Sequence, residues 1–270
     1  MNLNLILGLT LGAWIMTRGA IGHASNPALF FDTHALIIVG LGTLAAALIA
    51  SPPGRLREIF RFFIRGAFMR KERSKAYLVK TLISAHAYIL KSGASRVQIT
   101  DRIHPFLSEG IDLIREGHLD TAELQEVLEL RVGQFKRSYL EDAKALAAIA
   151  KFPPAFGLLG AAAGMISLMS QLGSGGKDQL GPAMATAMVA TFWGVGVANL
   201  ILLPLADYAH RLGVEDLEAR NLMVQGLLLI QRREAPLVLK EKLVSFLKQE
   251  EWDEVERHFH DQFPGSRMGA

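Results

Sequence analysis

From Phe152 to Gly176 the chain runs FPPAFGLLGAAAGMISLMSQLGSGG, 25 residues without a charged side chain. A helix needs roughly 20 apolar residues to cross the hydrocarbon core of a bilayer, so this run is long enough to span. It is not alone. Met1 to Thr17 carries no charge, Arg18 interrupts, and Gly19 to Phe31 is again uncharged apart from His23. Thr33 to Gly54 is uncharged apart from His34, and Gln179 to Ala206 forms a fourth run. Half of the residues are apolar and the mean hydropathy is positive, as expected of a membrane protein. The first run starts MNLNLILGL, with no basic residues ahead of its apolar core and no clean A-x-A site behind it, and reads as a retained span. Nowhere does an apolar–polar alternation of strand type persist. The expected fold class is therefore all-α, a polytopic membrane protein with four transmembrane helices and a helical cytoplasmic domain.

The net charge of +3 conceals a segregation. Of 29 Lys and Arg, 18 lie between Arg55 and Lys151 and nine lie after His210. Lys- and Arg-rich segments beside spans stay in the cytoplasm, and the cluster RLREIFRFFIRGAFMRKERSK directly follows the second run. Both large polar segments, and with them both termini, are expected inside. The chain then divides into residues 1–51 (spans one and two with a short outer loop), 52–150 (a helical cytoplasmic domain), 151–208 (spans three and four) and 209–270 (a cytoplasmic helical tail). Within the second segment, LREIFRFFIRGAF and KAYLVKTLISAHAYILKSG have helical periodicity, the latter ending at Gly93. DTAELQEVLELRV opens on an Asp-Thr cap with Glu three residues on and heads towards the third span. The fourth span is expected to continue inward as DYAHRLGVEDLEARNLMVQGLLLIQRR, break at Pro236 and resume as the amphipathic PLVLKEKLVSFLKQ.

What the spans lack is informative. Cation channels and pumps place an ionisable group at membrane depth, yet the third and fourth runs hold no Asp, Glu, Lys, Arg or His. Either the protein conducts nothing or a partner supplies the titrating group. Small residues recur at helical spacing: Gly157 with Ala161 and Gly160 with Gly164 on the third run, and Ala183, Ala187, Thr191 and Ala198 with Gly194 alongside on the fourth. Such faces allow close helix packing in lipid, either of the two spans on each other or around another helix. Thr191 is the deep hydroxyl of this stripe, although a membrane threonine often bonds its own backbone. Pro153 and Pro154 open the third span, where proline costs little. Pro204 falls inside a continuing helix and is expected to kink it. The chain has no cysteine, so disulfides and thiolate metal sites are excluded. GLLGAAAG lacks the lysine and spacing of a phosphate loop, and HFHD at His258–Asp261 reads as a solvated helix end. No cofactor, metal or nucleic-acid partner is expected.

In this order, LNLILGLTLGAW, HALIIVGLGTLAAALIASP, HPFLSEGIDLIREGHLDTAELQEVLELRV, FPPAFGLLGAAAGMISL, LGPAMATAMVATFWGVGVANLILLPLAD and LLLIQRREAPLVLKEKLVSFL resemble the MotA/PomA family of flagellar motor stator proteins, within the wider MotA/TolQ/ExbB proton-channel group. The resemblance covers most of the chain, and the last two spans carry it most specifically.

The resemblance implies a bacterial inner-membrane protein that forms a pentameric ring around the single transmembrane helices of a MotB/PomB-type partner. The partner brings an essential aspartate, and ion flow turns the ring against the rotor's switch complex. It also implies that the family's two functional prolines correspond to Pro154 and Pro204 and its channel-facing threonine to Thr191. Where many relatives have a threonine associated with sodium coupling, this chain has Ala161. The loss of an oxygen ligand favours protons, since a hard cation needs oxygens in place of its water. For the family's rotor-engaging charges the candidates are Arg96, Asp101 and Arg102, each also readable as part of a solvated helix face. An ExbB- or TolQ-like energiser of another envelope machine is the alternative. A transporter would show inverted repeats and midplane polar residues, neither of which is present. A passive scaffold would carry no ion flux with any partner.

Overall fold

The computed structural model describes residues 3–22, 27–51, 54, 74–92, 104–173 and 180–264, and among these every regular element is a helix. In chain order they are α1 (Leu3–Trp14), α2 (Thr33–Ala50), α3 (Lys75–Ser92), α4 (Pro105–Glu116), α5 (Thr121–Ile149), α6 (Phe152–Gly173), α7 (Leu180–Val197), α8 (Leu203–Gln231), α9 (Pro236–Val244) and α10 (Trp252–Gln262). Two segments with the wider π-type turn, Ile15–Ile21 and Ala198–Leu202, continue α1 and join α7 to α8. Three helical stretches are long and apolar enough to cross a membrane: Thr33–Ala50, Thr121–Ser170 and Gly181–Gln231; a shorter apolar helix covers Ile6–Arg18. The basic run LREIFRFFIRGAF and the Gly93 helix end lie outside the described residues.

Local chemistry explains the boundaries. Asp32 caps α2, its side chain accepting from the Ala35 N–H at 2.9 Å. Pro105 opens α4 and Gly117, at φ 70°, closes it, a left-handed position that suits glycine. The cap anticipated before α5 is a reciprocal pair: Glu123 N–H donates to the Asp120 carboxylate and Asp120 N–H to the Glu123 carboxylate, both at 2.8 Å. α5 stops at Ile149, with only Ala150 and Lys151 before α6. Pro153 and Pro154 have no N–H to return to the preceding turn, so the ladder cannot run through. α8 ends where Arg233 turns to φ 51°, and Pro236 starts α9.

The chain forms two compact units, Met1–Arg70 with Tyr139–Arg211, and Lys71–Ser138 with Leu212–Ala270. In the first, α2, α6 and α7 pack together. Ala35 and Val39 of α2 share a small buried cluster with Val189 and Ala190 of α7, and Phe156 of α6 lies against Gly42 of α2. Trp193 Nε1 donates to the Phe30 carbonyl at 2.6 Å, and the Phe30, Phe31, Phe192 and Trp193 rings cluster edge to face or tilted.

In the second unit the end of α8 is the core. Leu222, Met223, Val224 and every residue from Gly226 to Ile230 are buried, the all-round burial of a central helix. Leu82 of α3 seats on Gly226 and Leu227 on Gly110 of α4. Polar rungs fasten α10 along α3, Ser74 with Glu251, Lys80 with Glu254 and Ser84 with His258, around buried Val255 and Phe259. His258 is thus engaged, and the HFHD tail is a docked amphipathic helix whose inner face is Phe259, which corrects its reading as a solvated end. Period alone did not reveal the polar partners that α3 provides.

Candidate ion-pathway face of the membrane helices

The α6–α7 pair is set by glycine. A methyl group placed on Gly157 would stand 2.9 Å from the Ala190 carbonyl oxygen, and one on Gly164 2.8 Å from the Ala187 Cβ and 3.0 Å from the Ala183 carbonyl. A methyl on Gly160 would meet the Ala190 Cβ at 2.6 Å. Gly157, Gly160 and Gly164 therefore form the seam with Ala183, Ala187, Ala190 and Gly194. Of the two roles open to the small residues, these serve the packing of the spans on each other. In lipid such backbone approach, with its dispersion contacts, is the main force available.

Beside the seam runs a second stripe. Pro154, Leu158, Ala161 and Met165 follow each other at four-, three- and four-residue steps on α6, as do Met184, Met188, Thr191 and Val195 on α7. Each set therefore lies on one helix face. In an antiparallel pair the two faces fall on the same side of the seam, opposite the side that α2 covers. Leu158, Met165, Met184, Met188 and Val195 are exposed, Met188 at 72% and Leu158 at 67%, while Pro154, Ala161 and Thr191 are half-buried between them. The structure thus brings Pro154, Ala161 and Thr191 to one open apolar face. No titratable side chain stands on either stripe.

Thr191 Oγ1 lies 3.2 Å from the Ala187 carbonyl and 3.5 Å from that of Gly157. Its proton is directed into the backbone, which leaves the oxygen lone pairs as acceptors for a proton-bearing group. Pro154 lies in the first turn of α6, where no intrahelical N–H is needed. Pro204 is exposed in the first turn of α8. In an α-helix its ring would strike the carbonyl four residues back, that of Leu200. The π-type turn there meets this constraint, with Leu203 N–H bonding the Ala198 carbonyl. Sequence reading expected a kink at Pro204; the structure has the π-type turn Ala198–Leu202 just before it. Arg96, Asp101 and Arg102 lie outside the described residues.

One side chain was missed. Just before α2, Asp32 accepts from Ala35 N–H through one oxygen and from the Thr186 hydroxyl, at 2.9 Å, through the other. Burial raises its pKa, but these bonds outweigh burial and hold the carboxyl below its ordinary value. It is a charged tether between α2 and α7. An Asp just ahead of a helical run is a cap signal that was available in the sequence; the second bond depends on a residue 154 positions away.

Residues 98–220 match the model of the MotA/TolQ/ExbB proton channel family. The uncharacterized protein YtxD of Bacillus subtilis is 28% identical over 250 residues, 91% of this chain and 90% of the relative. Motility protein A of Borreliella burgdorferi is 26% identical over 252 residues, 92% and 94% of the two chains. Over that stretch the chain is similar to the MotA/TolQ/ExbB proton channel family. The fold agrees: the flagellar MotAB stator complex from Bacillus subtilis superposes with a TM-score of 0.82 at 22% identity, covering 93% of this chain and 98% of that one. Within the family match lie both helices of the open face, and Pro154, Ala161, Thr191 and Pro204 with them.

Proposed function

We propose that this protein is a MotA-type stator subunit of the bacterial flagellar motor. With a MotB-like partner it forms a proton-conducting channel and converts ion flow into torque on the rotor. The observation that carries the reading is the open face of α6 and α7. It has a hydroxyl and one proline, is otherwise apolar, and contains no group that titrates. A channel that moves protons needs such a group at depth, so this face is completed by a single-span helix carrying an aspartate. Exposed Met184 and Met188 suit such a seat, because methionine adapts its shape to a moving partner.

The finer assignments follow from the same reading. α1 and its π-type continuation make the first of four spans in the inner membrane, and both termini are cytoplasmic. Five copies close a ring around a partner dimer and turn against the switch complex, with lipids on the outer side. Arg96, Asp101 and Arg102 face the rotor. The protein is a channel component, not an enzyme, and needs no cofactor.

Reconstitution tests this. Vesicles holding the chain with its MotB-like partner should take up protons, and vesicles with the chain alone, or with the partner's aspartate changed to asparagine, should not. Uptake by the chain alone would overturn the proposal. Restored swimming in a cell lacking its own stator separates the flagellar reading from an ExbB- or TolQ-like energiser, whose family model is the same.

A further inference from the structure

The geometry points to Asp216 and Arg220 as positioning residues for torque: a buried ionic clamp through which α8 holds the start of α4. This rests on the stator reading above. Asp216 and Arg220 stand one turn apart on α8, their side chains joined at 2.6 Å. Both residues are buried, at 5% and 8% exposure. Burying two charges is costly, and apolar residues of the same size commonly pack a core as well or better. The pair is therefore a poor device for stability and a good one for direction.

Its surroundings give it that use. The Arg220 guanidinium lies 3.7 Å from the centroid of the Phe135 ring on α5 and 5.3 Å from that of Phe106 on α4. A planar cation stacked on a ring resists sliding in a way that aliphatic contacts do not. On the other side, His104 Nε2 lies 3.9 Å from Asp216 Oδ1. His104 is also the N-cap of α4, its Nδ1 accepting from Phe106 N–H at 3.2 Å. With Nδ1 facing the backbone, Nε2 is the ring nitrogen on the side of the Asp216 carboxylate. One ion pair on α8 thus fixes both the cap and the first aromatic residue of α4, and the facing ring of α5.

α8 is unbroken from Leu203 to Gln231 and continues α7 through the π-type turn, within the apolar helical stretch Gly181–Gln231. Motion of that helix reaches α4 through contacts of two kinds. Packing of Leu227 on Gly110 is non-directional, whereas the clamp sets orientation. The exposed bridge between Arg131 of α5 and Glu109 of α4 is too solvated to substitute for it. Neutralising the clamp should leave the channel face untouched and loosen the link from ion flow to rotation.

The test separates those two quantities in the full complex with its MotB-like partner. The double variant Asp216→Leu/Arg220→Met removes both charges, so neither is left buried alone. It should copurify with the partner and conduct protons into vesicles as wild type does, while the stall torque of tethered cells falls about threefold or more. Arg220→Lys keeps the charge and loses the planar stack; its flux should be unchanged and its torque intermediate. Wild-type torque in the double variant overturns the clamp. So does a parallel fall of torque and flux, which would place the pair upstream at the channel. If the double variant does not assemble, wild-type torque in Arg220→Lys overturns it on its own. Failure of the wild-type complex to conduct or to turn cells would instead overturn the stator reading, without any substitution.

Discussion

Gly194 and Pro153 touch backbone to backbone: a methyl group on Gly194 would stand 2.5 Å from the Pro153 carbonyl oxygen and 3.1 Å from the Gly157 Cα. No rotamer change relieves such a contact, since both partners are main chain. Gly194→Ala should therefore part α6 from α7. The cost expected of overpacking is about 1–3 kcal/mol. Gly8→Ala is the control, because nothing lies within 4 Å of its added methyl. Melting of the detergent-purified protein should fall by several degrees for the first and hardly move for the second. Equal melting temperatures would show that the seam has slack.

The second prediction concerns acid. His86 is fully buried in α3; its Nε2 donates to the Glu234 carbonyl at 2.9 Å, and its Nδ1 has no partner among the described residues. Burial lowers its pKa, more than the bond to Glu234 raises it. The folded protein thus binds fewer protons at this site than the unfolded chain, whose ordinary value is near 6.5. Stability from His86 is present above that value and is lost as pH falls below it, by at most about 1.4 kcal/mol per pH unit. Melting temperature measured from pH 7.5 down to 5.5 should drop less steeply in His86→Leu than in wild type. Identical slopes would remove His86 from the account.

Legibility from sequence followed the range of the physics involved. The apolar runs, the Asp120–Glu123 cap and the stop at Pro153 and Pro154 depend on neighbours within a turn or two, and all were readable. Gly157, Gly160 and Gly164 were visible as a stripe, but which helix they faced was not, because period gives a face and not its occupant. Asp216 and Arg220 were opaque. Sequence shows DYAHRLGVEDLEARN only as the inward continuation of the fourth span, because Phe135 and Phe106, which lie on the Arg220 guanidinium, come from other elements. The Asp32–Thr186 bond and the isolation of His86 were hidden for the same reason.

A third prediction concerns the rotor. If Arg96, Asp101 and Arg102 engage it, reversing all three charges should abolish swimming while the complex still assembles. Exposed pairs are worth only ~0–1 kcal/mol each, so single reversals should be mild. Copurification with the partner and swarm diameter are the two readouts. A triple reversal that swims normally would release this segment from the interface.

The last prediction is the ion. Thr191 offers one oxygen on the open face, and Ala161 offers none where a second hydroxyl would be needed. A proton requires only the partner's carboxylate, whereas sodium must exchange several waters for protein oxygens. Motility driven by this chain should collapse with a protonophore and ignore external sodium. Thr191→Val keeps the volume and deletes the oxygen. It also removes the bond to the Ala187 carbonyl, which the helix tolerates because that carbonyl retains its place in the ladder. Assembly should persist while proton flux falls up to about tenfold, the worth of one lost hydrogen bond to the moving group. Ala161→Thr alone should not confer sodium dependence, because one added hydroxyl does not rebuild a hydration shell. Swimming that scales with sodium and survives the protonophore would show that this face selects sodium after all.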